Sequence, residues 1–170
     1  MVLSWCACEI PTQNGTSLTH IDYDPISYTI EAPDGFPPME IPTNNPMTED
    51  GVNLGRHLFY DPILSRDSSI SCSSCHRIEK AFTDGLSQSI GIEGRVGRRN
   101  AMSLINIGYS WVQNRPHNFM WDGRMATLED QALEPIEDPN EMDADWNTIM
   151  DRLRNHDLYP TLFRLSLIHI

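Results

Sequence analysis

The chain has 170 residues, enough for one domain of ordinary size with an unstructured arm. Asp and Glu number 24 against 12 Lys plus Arg, and the net charge of −12 argues against nucleic-acid binding and against docking on anionic lipid. No apolar run approaches the roughly 20 residues needed to span a bilayer. At 39% the hydrophobic content is slightly low but sufficient for one small core. Every basic residue except Lys80 is arginine, the side chain better shaped to hold a planar carboxylate.

Residues 1–47 carry no Lys or Arg, several acids, and prolines at 11, 25, 33, 37, 38, 42 and 46; they read as an extended acidic, proline-rich arm. Pro37 to Pro42 is expected to lie as polyproline II against the domain. Cys6 and Cys8 read as a spare pair near the terminus, with a lipid-anchor cysteine as the alternative. Met1 to Ile10 lacks the basic start and long apolar core of a signal peptide.

The domain is expected to run over 48–164. Thr48 can cap a helix with Glu49 and Asp50 in its first turn and Leu54, Leu58 and Phe59 on its apolar face, ending at Tyr60-Asp61-Pro62. A turn through Ser65–Ser69 leads to Cys72-Ser73-Ser74-Cys75-His76, the C-x-x-C-H spacing of covalent haem attachment. Two thiols on one helical turn can reach the two vinyl groups of a porphyrin, and the next residue presents an imidazole to the iron. A redox dithiol, half of a zinc site and a disulfide are the competing readings; a thioredoxin-like dithiol would want a βαβ context, and none is visible.

Thr83 to Asn100, with Gly85, Gly91, Gly94 and Gly97, reads as loop able to pass close to a flat group. Arg95, Arg98 and Arg99 lie in it, either as a solvated basic turn or as partners for haem propionates or an electron donor. Ala101 to Gly108 is expected to be helical. A further helix should start at Thr127, with Asp130 three residues on, and stop at Pro135. A last amphipathic helix is expected over about Asp143 to His156, with Trp146, Ile149, Met150 and Leu153 on one side. Residues 165–170 have no cap or polar face and read as a truncated or non-native tail, so the chain reads as a fragment. There is no strand pattern. The expected fold is all-α.

In order along the chain stand Leu54-Gly55-Arg56-His57-Leu58-Phe59-Tyr60-Asp61-Pro62, Ser69-Ile70-Ser71-Cys72-Ser73-Ser74-Cys75-His76, Ala81-Phe82-Thr83-Asp84-Gly85, Gly97-Arg98-Arg99-Asn100-Ala101, Trp121-Asp122-Gly123-Arg124 and Thr127-Leu128-Glu129-Asp130-Gln131-Ala132. Together they resemble, over about residues 44–160, the N-terminal peroxidatic half of the bacterial di-haem cytochrome c peroxidases, which include the methylamine-utilisation di-haem enzymes. The resemblance implies a cytochrome c-like domain reducing hydrogen peroxide to water with electrons from a small c-type cytochrome or cupredoxin, passed on by a second haem domain. It implies one covalent haem c on Cys72 and Cys75 with His76 as proximal iron ligand, Glu129 as the distal glutamate, and Asn100 as a ligand to a calcium ion. It also implies a periplasmic or otherwise exported protein; members are often dimers, and some oxidise a protein substrate instead.

The glutamate has an independent chemical rationale. Heterolysis of peroxide moves a proton from one oxygen to the other, which leaves as water, and a carboxylate can make both transfers. Otherwise Glu129 is a first-turn residue favourable to the helix dipole. Trp121, Asp122 and Arg124 read as fixing the loop that delivers it.

Three departures from the family pattern stand out. Ile92 occupies the place, sixteen residues after the proximal His, where many members carry a histidine that leaves the iron on activation, which implies a pocket open at rest. Phe119 stands where a glutamine often precedes the glutamate by ten residues, with Gln113 or His117 as substitutes. No second C-x-x-C-H is present, so turnover by this chain alone with a cytochrome donor should be poor. The rival reading is a mono-haem electron carrier taking Met102, Met120, Met125 or Met142 as sixth ligand, although methionines commonly fill small cores. Tyr109 and Trp111 read as core aromatics or as relays toward a second haem.

Overall fold

A computed structural model describes residues 24–110 and 119–166. Cys6, Cys8, Trp111, Gln113, His117 and residues 167–170 lie outside the described residues. Among those described, all regular structure is helical; strand pairing is limited to isolated bridges such as Ser27 with Thr48 and Arg77 with Thr83. No described helix is long and apolar enough to cross a membrane.

Helix α1 spans Glu49–Tyr60. Thr48 caps it as expected, its hydroxyl accepting from the Gly51 N–H at 3.0 Å, with Glu49 and Asp50 at the positive end of the dipole. Asp61 ends α1 in extended conformation and does two further things. One carboxylate oxygen accepts from the Ile63 N–H at 2.9 Å, capping the short 3-10 turn Pro62–Leu64, and the other accepts from the Tyr159 hydroxyl at 2.7 Å. Tyr159 is fully buried, and burial together with Asp61 pushes its phenol well above the usual range, so it stays a donor.

After α1 come the one-turn helix α2, Cys72–Cys75, then a long irregular region, and α3, Leu128–Glu137, capped by Thr127 accepting from the Asp130 N–H at 3.0 Å. Helix α4, Trp146–Arg154, is capped by Asp145. Helix α5 spans Tyr159–Ser166. Leu54, Ile63, Leu64, Ile149, Leu153, Leu162 and Phe163 form the centre of one core in which α1 packs on α5.

Three expectations need correction. Ala101 to Gly108 is not a helix: the chain is irregular to Leu104 and forms only a 3-10 turn over Ile107–Ser110. The Ser103 hydroxyl donates to the Ala81 carbonyl at 2.7 Å and accepts from the Ile105 N–H at 3.2 Å, and Asn106 adopts a left-handed φ of 58°, both incompatible with a continuing helix. Pro135 does not stop α3, which runs to Glu137. Proline near the end removes a single intrahelical bond, and the loop beyond re-satisfies the terminal carbonyls through Met142 N–H on Pro135 (3.2 Å) and Ala144 N–H on Ile136 (2.9 Å). The helix expected over Asp143 to His156 is shorter and is not the last, because α5 follows it. Tyr159, Leu162, Phe163 and Ser166 are buried at i, i+3, i+4 and i+7, and Pro160 sits in the first turn where its missing N–H costs nothing.

Of the arm, residues 24–47 are described and fold back on the domain. Glu49 N–H donates to the Ile26 carbonyl (2.9 Å) and Tyr28 N–H to that of Met47 (3.0 Å). The Phe36 ring lies 5.3 Å from that of Tyr109, and Met39 covers Gly108, where a Cβ would come within 2.6 Å of its sulfur.

Candidate functional site

Helix α2 is a single turn whose start is held by the Ser71 N–H donating to the Ser74 hydroxyl at 3.0 Å. It places Cys72 and Cys75 one turn apart as free, half-buried thiols, and the His76 N–H closes on the Cys72 carbonyl at 2.9 Å. Burial pushes the Cys75 thiol up to about 11, with the Asp84, Glu141 and Cys72 charges adding, and burial pushes the Cys72 thiol up as well, so neither sulfur is held as a thiolate.

His76 is the best-defined element of the site. Its Nδ1 lies 3.0 Å from the Phe82 carbonyl. A carbonyl can only accept, so Nδ1 carries the proton and Nε2 keeps a free lone pair, the tautomer a metal ligand needs. The carbonyl is aimed by two consecutive left-handed residues, Ala81 (φ 56°) and Phe82 (φ 57°), a conformation costly for residues with a Cβ and typical of functional sites. It persists because the loop is closed by Arg77 N–H to Thr83 O (3.2 Å) and Phe82 N–H to Arg77 O (2.8 Å), and braced by Ser103 on the Ala81 carbonyl. Phe59 of α1 stands 6.5 Å from both the His76 and the Phe82 rings. Sequence reading gives Phe59 only as part of the apolar face of α1 and assigns nothing to Phe82 or Ser103, which here fix and brace the His76 imidazole. Phe82 lies within a quoted motif, but the role belongs to its backbone oxygen, which side-chain identity does not announce.

Cys75 and His76 open onto a cavity of about 290 Å³. Leu104, Ile107 and Phe119 supply apolar wall, and Gln131, Glu134 and Pro135 present one face of α3, with Asp138 just past its end. Arg98, Arg99 and Asn100 line it too. Arg98 makes no ion pair or hydrogen bond among the described residues, whereas Arg99 pairs with Asp122 at 3.4 Å. Asn100 has an exposed side chain, and its carbonyl accepts from the Trp121 indole N–H at 3.0 Å. Among the described residues no group of three or more His, Cys, Asp or Glu is placed to hold a metal ion. Arg124 joins Asp122 (2.8 and 2.9 Å) to Glu134, tying the loop before α3 to α3 itself. Burial, with Asp138 and Glu134 adding, pushes the Glu141 carboxyl up beside the same cavity.

Three of the expected residues lie outside the lining: Cys72, one turn before Cys75, and two that stand further apart. Arg95 is not among the cavity-lining residues; it is committed to Asp143 (2.8 Å), Glu93 (2.6 Å) and the Pro139 carbonyl (2.6 Å). Glu129, second residue of α3, is exposed and also outside the lining; its Oε1 accepts from the Asn45 amide at 2.6 Å.

The loop of residues 89–97 is pinned. Ile92 is fully buried and its N–H donates to the Glu141 carbonyl at 2.8 Å, while Ile90 bridges Val96. At Gly91 a Cβ would stand 2.0 Å from the Asn140 carbonyl oxygen and 2.7 Å from that of Glu141. Both are backbone atoms that cannot turn aside. G91A should therefore destabilise the protein by about 3 kcal/mol, read as a lowered unfolding midpoint in denaturant. An unchanged midpoint would mean that the loop is free to move.

The donor set suits a covalently held haem: two adjacent thiols, an imidazole with Nε2 available, apolar wall, and a cation at the rim. Comparison with known proteins places the chain in a family. A profile of the di-haem cytochrome c peroxidases matches residues 49–167. The chain belongs to that family. It is 37% identical over 123 residues to methylamine utilization protein MauG of Methylorubrum extorquens, covering 72% of this chain and 33% of the relative. It is 39% identical over 128 residues to cytochrome c peroxidase Ccp of Escherichia coli, covering 75% and 26% respectively. A crystal structure of a MauG-like protein associated with microbial copper homeostasis superposes with a TM-score of 0.68 at 37% identity, over 83% of this chain and 40% of that one. The all-helical fold is thus that of cytochrome c peroxidase domains, in a family of c-type haem peroxidases. The chain spans about a quarter to a third of the length of the curated relatives it matches.

Proposed function

We propose that this chain is the peroxidatic haem domain of a di-haem peroxidase. It holds one haem c through Cys72 and Cys75, with His76 as the iron ligand, and reduces one hydrogen peroxide to two waters at the expense of two electrons and two protons. The observation that carries the reading is the His76 Nδ1 bond to the Phe82 carbonyl, which leaves Nε2 free beside a cavity that also exposes Cys75. Bound there, the haem supplies the redox chemistry and the site of peroxide attack. This chain's residues orient the imidazole, wall off solvent with Leu104, Ile107 and Phe119, and offer Arg98 to a propionate. Glu129 moves the proton between the peroxide oxygens. Electrons come from a small c-type cytochrome or cupredoxin through a second haem domain, in an exported protein. Asn100 contributes to a calcium site next to that domain.

Ile92 supports a pocket that needs no activation step: an isoleucine in the core, on a pinned loop, replaces the family's releasable histidine. A second reading, a mono-haem electron carrier, is favoured by one observation, that Met102 and Met120 line the cavity. The optical spectrum of the haem-loaded protein decides between them. A high-spin ferric spectrum that changes within seconds of adding peroxide supports the peroxidase. A low-spin spectrum with a methionine-to-iron charge-transfer band, unmoved by peroxide, makes the protein a carrier.

A further inference from the structure

The geometry assigns Asn45, in the N-terminal arm, as a positioning residue that holds the Glu129 carboxylate through its side-chain amide. The assignment rests on the reading of Glu129 as the proton-moving group. A carboxylate only accepts, so the amide nitrogen of Asn45 faces it, at 2.6 Å, across 84 residues of sequence. One hydrogen bond between exposed side chains is ordinarily weak, because both partners move. Here each is carried on a fixed backbone. Asn45 closes a turn, its N–H on the Pro42 carbonyl at 3.0 Å. Pro46 follows and restricts Asn45 to extended backbone. Met47 is then anchored by Tyr28, and Thr48 caps α1. Glu129 follows Thr127, which is fixed by its own cap bond to Asp130. No other bond to the Glu129 side chain is formed among the described residues.

The residue type suits the task. An arginine at this place would form an ion pair and hold the carboxylate charged. An amide orients one oxygen while adding no charge and no exchangeable acid, and leaves Oε2 to take up and return a proton. The arm thereby contributes to the chemistry of a domain whose haem-binding turn begins 27 residues later, at Cys72, and is not merely a tether.

The test uses the haem-loaded full chain in four forms: wild type, N45A, E129A and the double variant. Haem content is matched by absorbance, and both the rate of reaction with hydrogen peroxide and the thermal midpoint are measured. Asn45 acting through Glu129 makes N45A about ten-fold slower than wild type, and less than about two-fold slower when added to E129A. The midpoint shifts of N45A and E129A should likewise fail to add, because each removes the same bond. As a second variant N45D, which sets carboxylate against carboxylate, should be at least as slow as N45A. The assignment is overturned if N45A reacts as fast as or faster than wild type while E129A is slow. Equal effects of N45A in both backgrounds, with additive midpoint shifts, also overturn it, since these mark a role in seating the arm alone. If E129A itself keeps the wild-type rate, the reading of Glu129 fails and the assignment falls with it.

Discussion

Replacing Cys72 and Cys75 together with alanine removes covalent haem completely. After acid–acetone extraction the wild-type polypeptide should keep its Soret absorbance, and the double variant should keep none. The expectation follows from α2, which places the two cysteines one helical turn apart and His76 at its end. Single replacements leave one thioether and should retain haem at reduced yield. Retention of wild-type covalent haem by the double variant would refute the attachment site and, with it, the role of His76.

Glu129→Gln should leave haem content and thermal midpoint near wild type and slow the reaction with hydrogen peroxide by at least ~100-fold. Glutamine keeps the size of the side chain and can still bond to Asn45, but it cannot take a proton from one peroxide oxygen and deliver it to the other. The structure makes this the more demanding prediction. Glu129 lies outside the cavity lining, whereas Glu134, Asp138 and Glu141 border it. If E129Q reacts at the wild-type rate and Glu141→Gln does not, the proton is handled by the carboxylate that burial pushes toward the neutral form.

What could be read from the sequence follows the range of the interactions involved. The single turn at Cys72–Cys75, the Thr48 and Thr127 caps and the bounds of α1 depend on residues within a few positions of each other, and the structure has them where the spacing puts them. Ala101–Gly108 misleads because its apolar composition suits a helix. A serine bonded to a carbonyl 22 residues away, together with a left-handed asparagine, decides otherwise. The period of α5 is visible in Tyr159, Leu162 and Phe163, and Pro160 obscures it only when read as a stop signal. The Phe82 carbonyl and the Asn45 amide are invisible to pattern reading. One is a backbone atom turned by two strained residues, and the other finds its partner only after the arm has folded back.

The bond between Tyr159 and Asp61 bears on the order in which the molecule is made. The groups proposed to take haem are local: residues 71–83 supply the thiols, the imidazole and the oxygen that sets its tautomer. The wall behind His76 is another matter, for Phe59 sits on α1, and α1 packs against α5, from which Tyr159 reaches Asp61 across 98 residues. Loop closure on that scale is slow compared with forming a single turn. On the proposed attachment, the turn that offers both thiols and the imidazole can therefore form before the wall behind His76 is assembled.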